Sequence, residues 1–180
     1  MKENKKVLGK KRRDLILQWL LESNEPLTGT ELANRTNVSR QVIVQDISLL
    51  KAKNEPIIAT SQGYMFLHTN KEEKHFERVI VCTHKPEQTQ QELYLVVDHG
   101  VTVKDVFIEH PIYGDLKASI MVSNRSEVDQ FIKSVQETKA PYLLELNNDN
   151  AHLHTLVADS EEKLELACKS LEQAGFLIKG

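Results

Sequence analysis

Residues Leu27–Lys53, LTGTELANRTNVSRQVIVQDISLLKAK, decide how the first third of the chain folds. They predict a short helix over Thr30–Arg35, a tight turn at Thr36-Asn37-Val38, and a longer helix after Ser39. Serine suits that N-cap position because its hydroxyl accepts a hydrogen bond from an otherwise unpartnered backbone N–H of the first turn. In the second helix Val42, Ile43, Ile47, Leu49 and Leu50 supply an apolar stripe, while Ser39, Arg40, Gln41 and Gln45 face elsewhere. Leu32, Ala33 and Val38 make a small apolar corner where two helices can cross steeply. This is the helix-turn-helix plan, whose second helix presents its N-terminal residues to base edges in the major groove. Taken in isolation, an ordinary pair of core helices would read the same way.

Beyond the second helix, Pro56–Leu67, PIIATSQGYMFL, sets two apolar runs about a polar turn containing Gly63. That pattern predicts a β-hairpin, and a hairpin directly behind a helix-turn-helix is a wing. On the N-terminal side, Lys10-Lys11-Arg12-Arg13 leads into a helix to about Leu21, with Leu15, Ile16, Trp19 and Leu20 spaced to face a core. The basic run could contact phosphates or form an ordinary solvated face. Asn24-Glu25-Pro26 closes this helix. Ser39, Arg40, Gln41 and Gln45 form the expected DNA-facing set. Asp46 is expected to cap or pair within its own helix, and Val42 either to pack or to touch a thymine methyl.

The polar stretch His68–Lys74 divides this winged helix-turn-helix domain, residues 1–69, from a second domain, 74–180. Residues 1–69 hold 11 Lys+Arg against 7 Asp+Glu, whereas the remainder holds 12 against 19. A basic head on an acidic body suits DNA binding by the head alone. At 180 residues and 40% hydrophobic content the chain has length for two cores. It has no apolar run of membrane-spanning length, and the basic start MKENKKVLGKKRR is not followed by a signal-type apolar stretch. Cys82 and Cys168 lie far apart without metal-type spacing, so no disulfide framework is expected, and the expected location is the cytoplasm.

From His75 the pattern becomes α+β. Strands are predicted at Phe76–Cys82, Val103–Glu109, Leu116–Val122, Tyr142–Leu146 and His152–Ala158, with Phe176–Ile178 as a possible short addition. Helices are predicted from Pro86 and Thr89 to Asp98, from a Ser126 cap to Thr138, and from a Ser160 cap to Ala174. Together they make an α/β sandwich with a mostly antiparallel sheet.

The histidines are spaced informatively. His152 and His154, two apart in a predicted strand, leave the same face. His84 ends a strand, and Glu92 lies in the next helix where it could point back. Three imidazoles and a carboxylate could hold zinc or a similar divalent ion, although an H-x-H pair in a strand is also commonly just solvated or hydrogen-bonded.

Thr83-His84-Lys85-Pro86-Glu87, Glu92-Leu93-Tyr94, the run Val106–Gly114 (VFIEHPIYG) and His152-Leu153-His154-Thr155 resemble the signature of the three-histidine, or 3H, domain. Arg12–Leu67, with SRQxxxxDIxxL at Ser39–Leu50, is similar to the winged-helix heads of bacterial regulators. Both modules stand in the order found in niacin-responsive repressors of low-GC Gram-positive and Thermotoga-like bacteria. The resemblance implies a homodimer that represses NAD-biosynthesis and niacin-uptake genes at operator DNA, with nicotinic acid as co-repressor. It implies a divalent transition metal, zinc or nickel, on His84, Glu92, His152 and His154, and a ligand-contacting role for His110 and Tyr113. Two rival readings stay open. One is a metal-dependent hydrolase of a nicotinamide derivative, with Glu87 or Glu109 as general base. The other is a constitutive DNA-binding module with a structural metal.

Overall fold

The computed structural model describes residues 7–67 and 75–178. The expected boundary at 68–74 and the first part of the basic N-terminus lie outside them. The chain divides into two compact units, Met1–Asn70 and Lys71–Gly180.

The first unit runs α1 (Gly9–Glu22), α2 (Gly29–Thr36), α3 (Arg40–Lys51), β1 (Ile57–Thr60) and β2 (Gly63–Phe66). Local chemistry explains the helix-turn-helix. Thr28 caps α2 by accepting from the Glu31 N–H at 3.1 Å. Asn37, in the left-handed region at φ 51°, ends it, and Ser39 then caps α3 by accepting from Val42. Ile16, Leu20, Leu32, Ile43, Ile47, Leu50 and Ile57 fill the core. β1 and β2 form the antiparallel wing, with Leu27 bridged to Tyr64 at its base.

Three expectations change here. Leu49 is 50% exposed, and Leu15 is only half-buried. At about 100° per residue, Ile43, Ile47 and Leu50 define the buried stripe of α3 and Leu49 falls beside it. Asp46 does not pair within α3. It faces inward and accepts from Arg12 Nε at 2.5 Å and Arg13 Nη1 at 3.2 Å, both on α1. The buried Arg12 is therefore not available to a phosphate. Val42 is half-buried, consistent with packing.

The second unit runs β3 (Phe76–Thr83), a 3-10 turn (Pro86–Gln88), α4 (Thr89–Val97), β4 (Thr102–His110) and β5 (Gly114–Val122). It continues with α5 (Arg125–Thr138), a second 3-10 turn (Leu143–Leu146), β6 (Ala151–Ala158) and α6 (Glu161–Gln173). The sheet order is β3-β6-β4-β5, antiparallel throughout. The helices pack on the sheet face that carries Ile80, Val103, Val122 and Leu156, closing a core with Leu93, Val128, Leu164 and Leu171.

The strand expected at Tyr142–Leu146 is the second 3-10 turn. The Glu145 carboxylate accepts the Tyr142 N–H at 2.6 Å, which closes a turn where a ladder bond would be needed. α5 is capped by Asn124, not Ser126. Asn124 Oδ1 accepts from the Glu127 N–H, and the Glu127 carboxylate reaches back to the Ser123 N–H at 2.7 Å. Ser160 occupies the N-cap position of α6 without a side-chain capping bond. Phe176–Ile178 adds an isolated bridge, Leu177 to Cys82, at the edge of β3.

Candidate metal centre and DNA-binding surface

Alternation along β6 sends His152 and His154 to one face, where the register places them beside Cys82 of β3 and Val106 of β4 respectively. His84 follows β3 directly, and the 3-10 turn started by Pro86 swings the chain so that Glu92, in the first turn of α4, faces it. All four side chains are buried. Glu92 is the hub. Its carboxylate lies 2.8 Å from His84 Nε2, 3.2 Å from His152 Nε2 and 3.3 Å from His154 Nε2.

The other ring nitrogens determine what this means chemically. His84 Nδ1 meets the Lys85 carbonyl at 2.8 Å, His152 Nδ1 the Asn150 carbonyl at 2.9 Å, and His154 Nδ1 the Asp105 carbonyl at 2.8 Å. A carbonyl only accepts, so every Nδ1 must carry the proton. In the neutral rings every Nε2 is then a lone pair aimed at a carboxylate. Lone pairs converging in a buried space require protons or a cation between them.

Burial alone would raise the Glu92 carboxyl, but the His154 charge and hydrogen bonds from the imidazoles hold it well below the usual carboxylate range. Burial pushes His84 and His154 downward, yet hydrogen bonding and attraction to Glu92 leave both raised. The donor atoms of His84, Glu92 and His152 all lie within 4.8 Å of one another, and His154 joins through Glu92. Imidazole nitrogens with one carboxylate are the donors a borderline divalent ion takes, and Nδ1-to-carbonyl bonds are how proteins aim such ligands. The residues fit the ion.

Asp105 is a participant that sequence reasoning missed. The β4 ladder shifts register between Val103 and Asp105, and this bulge turns the Asp105 carbonyl to His154. The buried Asp105 carboxylate accepts from the Thr155 N–H at 3.1 Å and pairs with Lys117 at 2.7 Å. A lone acid inside the apolar run of β4 was the available signal.

Beside the cluster lies a cavity of about 260 Å³, walled by Val106, Phe131 and Tyr142 and reaching Glu92, His152 and His154. No lysine or arginine lines it. His110 and Tyr113 are not brought to it. They sit at the tip of the β4–β5 hairpin, their rings 5.0 Å apart, with Tyr113 72% exposed. His110 Nδ1 accepts from the Ile112 and Tyr113 N–H groups, which folds the ring over the tip. The cavity walls escaped sequence reading because Phe131 read as core and Tyr142 as strand.

On the first unit Ser39, Arg40, Gln41 and Gln45 are all exposed along the N-terminal half of α3, although the Ser39 hydroxyl is engaged as the cap. Glu87 and Glu109, the acids a hydrolase would need, are exposed, and neither belongs to the histidine cluster. Among the described residues no helix is long and apolar enough to cross a membrane.

Residues 12–65 match an HTH domain family and residues 77–180 the 3H domain family. The chain is 58% identical over 180 residues to the Transcription repressor NadR of Bacillus subtilis (strain 168), covering 99% of each. It is 37% identical over 174 residues to the Probable transcription repressor NiaR of Thermotoga maritima, covering 97% of each. The chain thus belongs to the family of NadR/NiaR-type transcription repressors, an HTH domain followed by a 3H domain, and is a DNA-binding regulator, not an enzyme.

Proposed function

We propose that this repressor is a cytoplasmic homodimer that binds operator DNA more tightly when nicotinic acid occupies its 3H domain, and so controls NAD-biosynthesis and niacin-uptake genes. The observation that carries the reading is three buried imidazoles aiming Nε2 at Glu92 on the wall of an apolar cavity. His84, Glu92, His152 and His154 would hold a divalent transition metal, zinc or nickel. When bound, such an ion supplies a Lewis-acidic position for a ligand carboxylate or pyridine nitrogen. With no lysine or arginine on the cavity wall, an anionic ligand finds its positive partner at the histidine end. Phe131 and Tyr142 offer aromatic faces to a planar ring and keep water from it.

A dimer sets two α3 helices against half-sites about 34 Å apart. Co-repression requires nicotinic acid to bind the DNA-competent arrangement more tightly than the other, with a coupling on the order of 1–3 kcal/mol. The test is a gel-shift titration of the metal-loaded protein on its own upstream DNA, at one salt concentration, with and without nicotinic acid. Tightening of roughly 5–150-fold is expected. An unchanged midpoint overturns the effector. His152→Ala should keep basal DNA binding and lose the ligand response. A purely structural metal would give a different pattern: chelation lowers the melting temperature while nicotinic acid leaves DNA affinity untouched.

A further inference from the structure

Val44 is an apolar side chain in the middle of the recognition helix, and stability does not account for it. It stands three residues after Gln41, one before Gln45 and four before Ser48, so it shares the outward side of α3 with the expected base-contacting residues. It is 39% exposed, and it is absent from the apolar core that Ile43, Ile47 and Leu50 build from the same helix. A β-branched residue at an exposed helix-interior position lowers helix propensity relative to alanine. Its neighbours leave the space around its isopropyl group apolar. The Ser48 hydroxyl is turned back onto the Val44 carbonyl at 2.9 Å, so it does not offer its proton outward. A valine in a helix holds essentially one χ1 rotamer, so the isopropyl group is already ordered before any contact forms.

We propose that Val44 is a base-reading residue whose isopropyl group packs on the C5-methyl of a thymine in the major groove and selects thymine at that position. The thymine methyl is the apolar feature of the major-groove code. Gln41 and Gln45, on either side, have the hydrogen-bonding groups that read adenine edges. An A·T-containing half-site therefore satisfies all three residues together. The inference rests on α3 being the helix that enters DNA.

The test removes only the methyl. Full-length protein is titrated by gel shift on its own upstream duplex, prepared once with thymidine and once with deoxyuridine in its place. Pairing is kept and each thymine loses its C5-methyl. Wild type should bind the deoxyuridine duplex more weakly, and Val44→Ala should shrink the thymidine-to-deoxyuridine affinity ratio by roughly fourfold, the equivalent of burying one methyl-sized group. Leu49→Ala, which trims another exposed apolar residue of α3, should keep the wild-type ratio. So should Val44→Ile, which retains the contact and decides the outcome if Val44→Ala binds too weakly to measure. An equal ratio in wild type and Val44→Ala overturns the proposal, as does a lost ratio in Val44→Ile. A failure of wild type to shift either duplex is a distinct result: it refutes DNA recognition by α3, and this assignment with it.

Discussion

Removing the Asp46 carboxylate should unhinge the recognition helix from the first helix. Asp46 is 2% exposed and Arg12 7% exposed, and they are joined across α1 and α3 with Arg13 as a second donor. In Asp46→Ala the Arg12 guanidinium stays in a site built for an ion pair, keeping only its 2.7 Å bond to the Val7 carbonyl. Breaking a buried pair from one side costs about 3–5 kcal/mol, and the surviving carbonyl bond places this case near 3. With a urea m-value of about 1.5 kcal/mol/M for so small a domain, the midpoint should fall by about 2 M. The readout is specific to this unit. Trp19, the one tryptophan of the chain, packs against the N-terminal core with Arg35 5.3 Å from its ring, so its fluorescence follows that unit's unfolding. DNA affinity should fall in parallel. Replacing both partners, Arg12→Met with Asp46→Leu, should restore most of the stability, because the cost lies in the orphaned charge. A midpoint shift below about 0.5 M in Asp46→Ala would refute the argument.

Gly63→Ala should cost about 2–3 kcal/mol in the same fluorescence assay. At φ +141° its Cβ would lie 2.6 Å from the Leu27 carbonyl oxygen, which is backbone and cannot swing away; a neutral substitution would contradict this. Glu92→Gln should leave a folded protein that no longer gains melting temperature on zinc addition, checked by calorimetry and by metal content after dialysis; an undiminished zinc effect would exclude Glu92 as a ligand. The zinc-induced increment in melting temperature should grow with pH. In the metal-free protein His84 and His154 are raised above their ordinary 6.5, so the stability of the protonated cluster is complete below that pH and fades as pH rises through the raised values. Glu92 works from the other side: its lowered value keeps its contribution above about 4.5 and loses it on further acidification. Metal must displace the imidazole protons, so its increment should be small at pH 6 and larger at pH 8, and a flat profile would refute proton competition.

The first unit was nearly legible from the chain alone because its signals are local. Thr28, Asn37 and Ser39 act within one turn of themselves, and the wing comes from a glycine between two apolar runs. The H-x-H of β6 was legible for the same reason: a period of two residues fixes its face. The Tyr142–Leu146 strand went wrong because a short apolar alternation serves a strand and a cavity wall equally well. A side-chain bond from Glu145, rather than propensity, chose between them.

By itself the sequence determined the two-module plan, the antiparallel α+β class and the identity of the four clustered residues. Only the tertiary structure decided that Asp46 belongs to α1's arginines, that Asp105 lends its carbonyl to His154 through a bulge, and that the cavity is walled by Phe131 and Tyr142 while His110 and Tyr113 stand on a hairpin tip. The physical reason is distance along the chain. Asp46 lies 34 residues from Arg12, and Asp105 lies 49 from His154. A capping hydroxyl or an alternating strand expresses its chemistry within a few residues. A buried charge or a histidine tautomer is set by whichever distant group packing places against it, and no local pattern encodes that neighbour.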